Sequence, residues 1–367
     1  EGEVRKLSYG INPQERFYRC LNKEKVDHPP VLAYHFLLPR GKSERELRNA
    51  GCVLIMGVPI YEIAFPPEIT VEEKKTWKNG EALTIRTYST PVGSLQEVFK
   101  IGPYGSEWKR EHFIKQPQDY QTMTYLLEKA IFREKIADFL QTAQELGEDG
   151  VAVPMLPLFE RSPFQKLLID LAGPERTLLD LYDHPKDLEM FINCLCQKME
   201  EAMHIYHSLP EKKLFWWVDN ITSDFTSPRL FEQFCLPIYQ KYLTPLRKEG
   251  ITCMLHLDGK LSALKELISK APIDVVESFT MPEQGGDLEL EEAHKAWKDK
   301  VIAANIPANL AYRQEKEIAE FFENLMGRRC LKERFVLELS EDLPREHLGK
   351  VLSVLSKTLS NLQKGGE

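Results

Sequence analysis

Apolar and polar positions follow two rhythms over the second half of the chain: short continuous apolar runs, and longer stretches whose apolar residues recur every three to four positions. The runs have strand length, the stretches have helical length, and Asp, Pro or Gly bounds each of them. This predicts strands over 150–156, 214–220, 252–257, 274–279, 301–306 and 335–339. Helices are predicted over 174–207, broken near Pro185, and from about 227 to 248 with Pro228 in the first turn. Further helices follow over 261–270, 288–297, 315–326 and 345–362. At least six strand–helix units, counted back from the C-terminus, favour an α/β fold of the (β/α)8 TIM-barrel class over an open doubly wound sheet.

The first third breaks this rhythm. Residues 30–33 read as a strand that delivers Tyr34, His35 and Phe36 at its end. Residues 83–87 and 93–99, separated by 88–92, alternate like antiparallel strands, which predicts an N-terminal β-hairpin insertion at about 51–101, over one mouth of the barrel. No repeat, low-complexity tract or flexible linker divides the chain, so 1–367 reads as a single barrel domain carrying that insertion.

With 43% hydrophobic and 28% charged residues, a chain of 367 residues can bury a full core. A formal charge of -8 argues against nucleic acid and anionic lipid as partners and leaves a small molecule as the expected substrate. The seven cysteines are scattered, without paired metal-ligand spacing, and suit a reducing compartment. No secretory leader and no apolar run near eighteen residues is seen. A cytoplasmic protein is expected.

Chemistry collects at the predicted strand ends, where a barrel of this class places its active site. His256 and Asp258 are two apart in an extended segment and point to one side, Leu257 faces away, and Gly259 lets the backbone turn. Glu277 ends the next strand, Asp219 and Asn220 end an earlier one, and Glu338, Glu341 and Asp342 cluster at the last. A lone histidine at a strand end is more often a hydrogen-bonded structural residue than a ligand, and Asp258 before glycine is an ordinary turn residue. Coincidence of position changes the weighing: carboxylates gathered around an imidazole repel one another unless a cation sits among them. A nitrogen and oxygen donor set suits zinc and admits iron or manganese. Alternation does not choose among the last acids, because Glu338 and Asp342 share one parity and Glu341 has the other.

Several segments carry a family likeness: 12–17 (NPQERF), 90–95 (TPVGSL), Trp108 through 117–120 (PQDY), Asp219-Asn220 followed by Ser227, Pro228 and Phe231, and the His256 motif. Together they resemble the uroporphyrinogen decarboxylase superfamily, and within it the corrinoid-linked methyltransferase branch, over nearly the whole chain. The resemblance implies a barrel with its site at the C-terminal mouth. In that branch a His-x-Cys pair supplies two zinc ligands and the last strand a further thiolate. Here Asp258 stands at the cysteine position and Glu341 matches the last strand, so the implied metal set is His256, Asp258, Glu277 and Glu341.

Thiolate-rich zinc sites activate thiol acceptors such as coenzyme M or homocysteine, whereas an oxygen-rich site is a harder Lewis acid. The resemblance therefore implies a metal-dependent methyltransferase, zinc first, that moves a methyl group from an O-methyl donor such as an aryl methyl ether to cobalamin on a separate corrinoid protein. It places His256, Asp219 and His35 in catalytic roles and Tyr34, Phe36, Trp217 and Asn220 against the substrate. The rivals are a metal-free decarboxylase or lyase, a methylamine or thiol methyltransferase, and a non-catalytic binding protein. The decarboxylase branch grips carboxylates with an arginine-rich segment, where this chain has only Arg40 and Lys42. A homodimer is left open.

Overall fold

The computed structural model describes residues 11–102, 107–328 and 333–365. The first helix, Pro13–Leu21, starts where Asn12 accepts a hydrogen bond from the Glu15 N–H at 2.7 Å and Pro13 presets the helical φ. Strands β1 (Val31–Tyr34) and β2 (Cys52–Pro59) follow, with a helix over Lys42–Asn49 between them. Next come β3 (Tyr61–Ala64), β4 (Thr70–Lys78), β5 (Glu81–Thr90), β6 (Gly93–Ile101), β7 (Glu107–Glu111) and β8 (Ile131–Glu134). The remaining strands are β9 (Gly150–Met155), β10 (Leu214–Trp217), β11 (Thr252–His256), β12 (Val275–Phe279), β13 (Val301–Asn305) and β14 (Phe335–Leu339).

Eight of these strands form one sheet in the order β10-β11-β12-β13-β14-β1-β2-β9, which is chain order made cyclic. β1 runs parallel to both β14 and β2, and β11, β12, β13 and β14 pair in parallel in succession. With helices between the strands, this is the (β/α)8 TIM-barrel class. From residue 150 onward the strands begin and end within three residues of their predicted bounds, and β14 matches them. The largest difference is at β10, which stops at Trp217, three residues before Asn220 with its left-handed φ of 50°.

The insertion differs from the hairpin expected at 51–101. Residues 52–59 belong to the barrel as β2, whose Cys52 to Ile55 run is buried on both faces, as a parallel strand is. The hairpin strands are longer than predicted, meet at Pro91-Val92, and are flanked by β4 and β7 in a four-stranded antiparallel sheet. β4 escaped detection because it is exposed almost throughout, with charged residues on both faces and no apolar period to read. β3 pairs antiparallel with β8.

The chain forms two compact units. One comprises Glu1–Met56, Thr142–Val153 and Thr252–Glu367, the other Gly57–Gln141 and Pro154–Ile251. In the first, Leu32, Val53, Leu255, Val276, Ile302 and Leu337 are buried from the sheet, and Val351, Leu352 and Leu355 from the helix Arg345–Gly365. In the second, Leu167, Leu195, Met199, Phe215, Trp217, Phe231 and Tyr239 are buried. Among the described residues no helix is long and apolar enough to cross a membrane, and the six described cysteines are free thiols.

Candidate active site

Strands β11, β12 and, across β13, β14 of the first unit bring ionisable groups together. β11 ends on His256, and the parallel register sets it opposite Glu277 of β12. In β12 the register slips between Val276 and Phe279, and Ser278 within the slip adopts a left-handed φ of 57°. Irregularities of this kind re-aim side chains beside functional sites. β14 contributes Glu338, and its end leads into Ser340 and Glu341.

The result is a clamp on the imidazole. Glu277, fully buried, accepts from His256 Nδ1 at 2.8 Å through Oε2 and from the Tyr34 hydroxyl at 2.5 Å through Oε1. The Tyr34 oxygen also lies 3.2 Å from His256 Nδ1. The other ring nitrogen, Nε2, is 3.6 Å from the half-buried Asp258 carboxylate. Behind this group the buried Glu338 accepts from the Ser278 N–H at 3.2 Å. Asn305 at the end of β13 donates to Ser278 Oγ and to Glu341 Oε1, and accepts from Ser340 Oγ.

Burial disfavours a charged imidazole, but the Glu277 and Asp258 charges outweigh it and hold His256 well above its ordinary value. Burial also opposes charge on Glu277, and the His256 charge overrides it, so that Glu277 lies below the usual range. Glu338 is driven well upward by burial and then by the Glu277 charge against it. Glu341 is raised by burial, with Asn305 opposing and Asp258 adding to the rise. The shifts favour the charged forms of His256 and Glu277 and the uncharged form of Glu338.

Among the described residues no group of three or more His, Cys, Asp or Glu side chains is arranged to hold a metal ion. Of the four implied ligands, His256, Asp258 and Glu277 are brought together, while Glu341 joins through Asn305 and through its charge interaction with Asp258. Glu277 is engaged with Nδ1, where it orients the ring.

The remaining candidates divide by unit. Phe36 follows Tyr34 in the first unit, 66% exposed, with ring centroids 5.5 Å apart, and His35 stands edge-on to Phe36. The other three are in the second unit. Asp219 is buried and accepts from Ser162 N at 2.6 Å, Ser162 Oγ at 2.7 Å and Tyr239 OH at 2.5 Å, which makes it a lock between two chain segments. Asn220 accepts from Arg161. Trp217 is fully buried, gives its N–H to Phe159 O at 3.1 Å and packs on Phe215 and Tyr239. It is a core residue, because the face of β10 that it shares with Phe215 packs on Tyr239 and Tyr242 of the helix Leu236–Lys248.

Sequence reasoning weighed Glu338 and passed it over, and it did not single out Asn305, Ser278 or Ser340. A signal existed: Glu338 interrupts an otherwise apolar strand, F-V-L-E-L, as Glu277 interrupts V-V-E-S-F. A carboxylate inside a run buried on both faces requires a partner.

No protein-family model matches the sequence, and no curated protein is significantly similar to it. Among solved structures, the chain is similar to a methyltransferase from Methanosarcina mazei, with a TM-score of 0.53 and 12% identity. The match covers 95% of this chain and 99% of that one. At that identity the likeness shows a shared fold.

Proposed function

We propose that the protein is a methyltransferase centred on His256, which takes a methyl group from an oxygen donor such as an aryl methyl ether and passes it to a corrinoid on a separate protein. The observation that carries this reading is the clamp: Glu277 fixes Nδ1, which leaves Nε2 as the working nitrogen at the half-buried edge beside Asp258. The full-length fold likeness to a protein named a methyltransferase adds support.

Cleaving an ether C–O bond leaves charge on the departing oxygen, and a catalyst must answer that charge. The imidazolium does so by donating the Nε2 proton to that oxygen as the methyl carbon departs. Glu277 and Tyr34 hold the ring in place, and Asp258 keeps it cationic until transfer. Phe36, exposed beside Tyr34, offers an apolar face for an aryl donor. The corrinoid supplies the nucleophile.

A divalent cation bound at Nε2 in place of the proton is the second form of the proposal, in which the ring acts as a ligand and not as an acid. His256 Nε2, Asp258 and Glu341 provide the nitrogen and oxygen donor types zinc accepts, and Glu277 on Nδ1 is the carboxylate partner that ligating histidines carry. Bound there, zinc would stabilise negative charge on the leaving oxygen. A decarboxylase reading finds no comparable footing, because Arg40 and Lys42 are exposed and face Glu44 and Glu46.

The test incubates the purified protein with reduced corrinoid and separate panels of aryl methyl ethers, methylamines and methyl thioethers, following the cobalt spectrum. Methylation of cobalt from ethers is expected; silence with every donor overturns the reading. Metal analysis of protein purified without chelator separates the two forms: stoichiometric zinc that His256→Ala loses supports the ligand role, and metal-free protein that still methylates cobalt supports the acid role.

A further inference from the structure

A second feature lies wholly within the second unit. A cavity of about 290 Å³ opens between the four-stranded sheet, β3 and the helix Asp119–Lys129. Every lining side chain is apolar except Tyr88. Three aromatic residues stand in its wall in edge-to-face order, Phe65 on Tyr88 at 5.9 Å and Tyr88 on Phe113 at 5.2 Å, both near 85°. The Tyr88 hydroxyl makes no hydrogen bond to a described residue. Burial raises its pKa, the Glu97 charge adds to the rise, and the phenol stays neutral. Leu158, also in the lining, adopts a left-handed φ of 77°, which is costly for a residue with a Cβ.

We infer that this cavity is a binding site for a neutral molecule carrying one substituted aromatic ring and one hydrogen-bonding oxygen. Size sets the class: an apolar cavity of about 150 Å³ stays dry and admits benzene, so this one admits a ring with substituents. The wall sets the chemistry: crossed aromatic rings favour another ring, placed edge to face. With no charged side chain in the lining, a carboxylate or ammonium would be left unpaired. Tyr88 is the one lining hydroxyl, and a ligand oxygen would pair with it. Half-exposed Val71 stands at the rim. The inference does not depend on the methyl-transfer reading.

The test titrates the full chain with 4-ethylphenol, 4-ethyltoluene and 1-octanol by calorimetry and ligand-observed NMR. Saturable binding is expected with 4-ethylphenol tightest. Tyr88→Phe should weaken 4-ethylphenol by about fivefold and leave 4-ethyltoluene unchanged. Leu126→Trp, which fills the interior, and Val71→Trp, which blocks the rim from a half-exposed position and spares the core, should each weaken both rings at least tenfold. No saturable binding, tighter binding of 1-octanol, or retention of ring binding in the folded Val71→Trp protein overturns the inference.

Discussion

Glu277 ties the candidate site together, since its two oxygens receive Tyr34 and His256 and its charge adds to the burial that raises Glu338. Glu277→Gln should therefore lower the His256 pKa, visible in an NMR titration of the ring, and cut turnover by about 10–100-fold. Because the folded His256 value is raised, its ion pair stabilises the protein fully below the unfolded imidazole value. That contribution fades as pH rises through the elevated folded value. Asp27 has the opposite sign. Burial pushes it up, but the buried Arg16 beside it at 2.6 Å wins and holds it at about 2. Asp27→Asn should cost about 1 kcal/mol at neutral pH, solvent screening at the half-exposed carboxylate reducing the full linkage value, measured by urea unfolding, and the difference should vanish as pH falls through about 2. His256 and Glu277 were legible in the sequence because His256 closes an apolar run and Glu277 interrupts one. The placement of Trp217 was not: adjacent tryptophans take opposite faces, and nothing in the sequence says which face is filled.

At the scale of elements, the loop after β12 is fixed by two glycines with different duties. Gly285 has a φ of 103°, whereas a Cβ on Gly286 would run into the backbone carbonyl of Thr280. Gly285→Ala is expected to cost about 1 kcal/mol and Gly286→Ala at least about 2 kcal/mol in thermal or denaturant unfolding, because only the second forces backbone to move. Equal costs would contradict the assignment. The buried parallel strands were legible because burial on both faces writes an uninterrupted apolar run. β4 was not, since an exposed strand is held by its neighbour's backbone and leaves no apolar pattern. The slip in β12 was equally hidden, because Ser278 at φ 57° is chosen by its surroundings, not by its own propensity.

For the whole molecule, the cyclic strand order made the barrel readable from strand–helix counting, and the shared fold with a methyltransferase extends over nearly the entire chain. The chemistry is carried by far fewer residues. A barrel scaffold accepts many reactions, so the function rests on how the ends of β1, β11, β12 and β14 dispose Tyr34, His256, Glu277 and Glu338. The most direct measurement is the single-turnover rate of methyl transfer from an aryl methyl ether to reduced corrinoid by the intact protein and by His256→Ala, each checked for folding by circular dichroism. The account predicts transfer by the former and at least a hundredfold loss in the latter; equal rates, or no transfer by either, would contradict it.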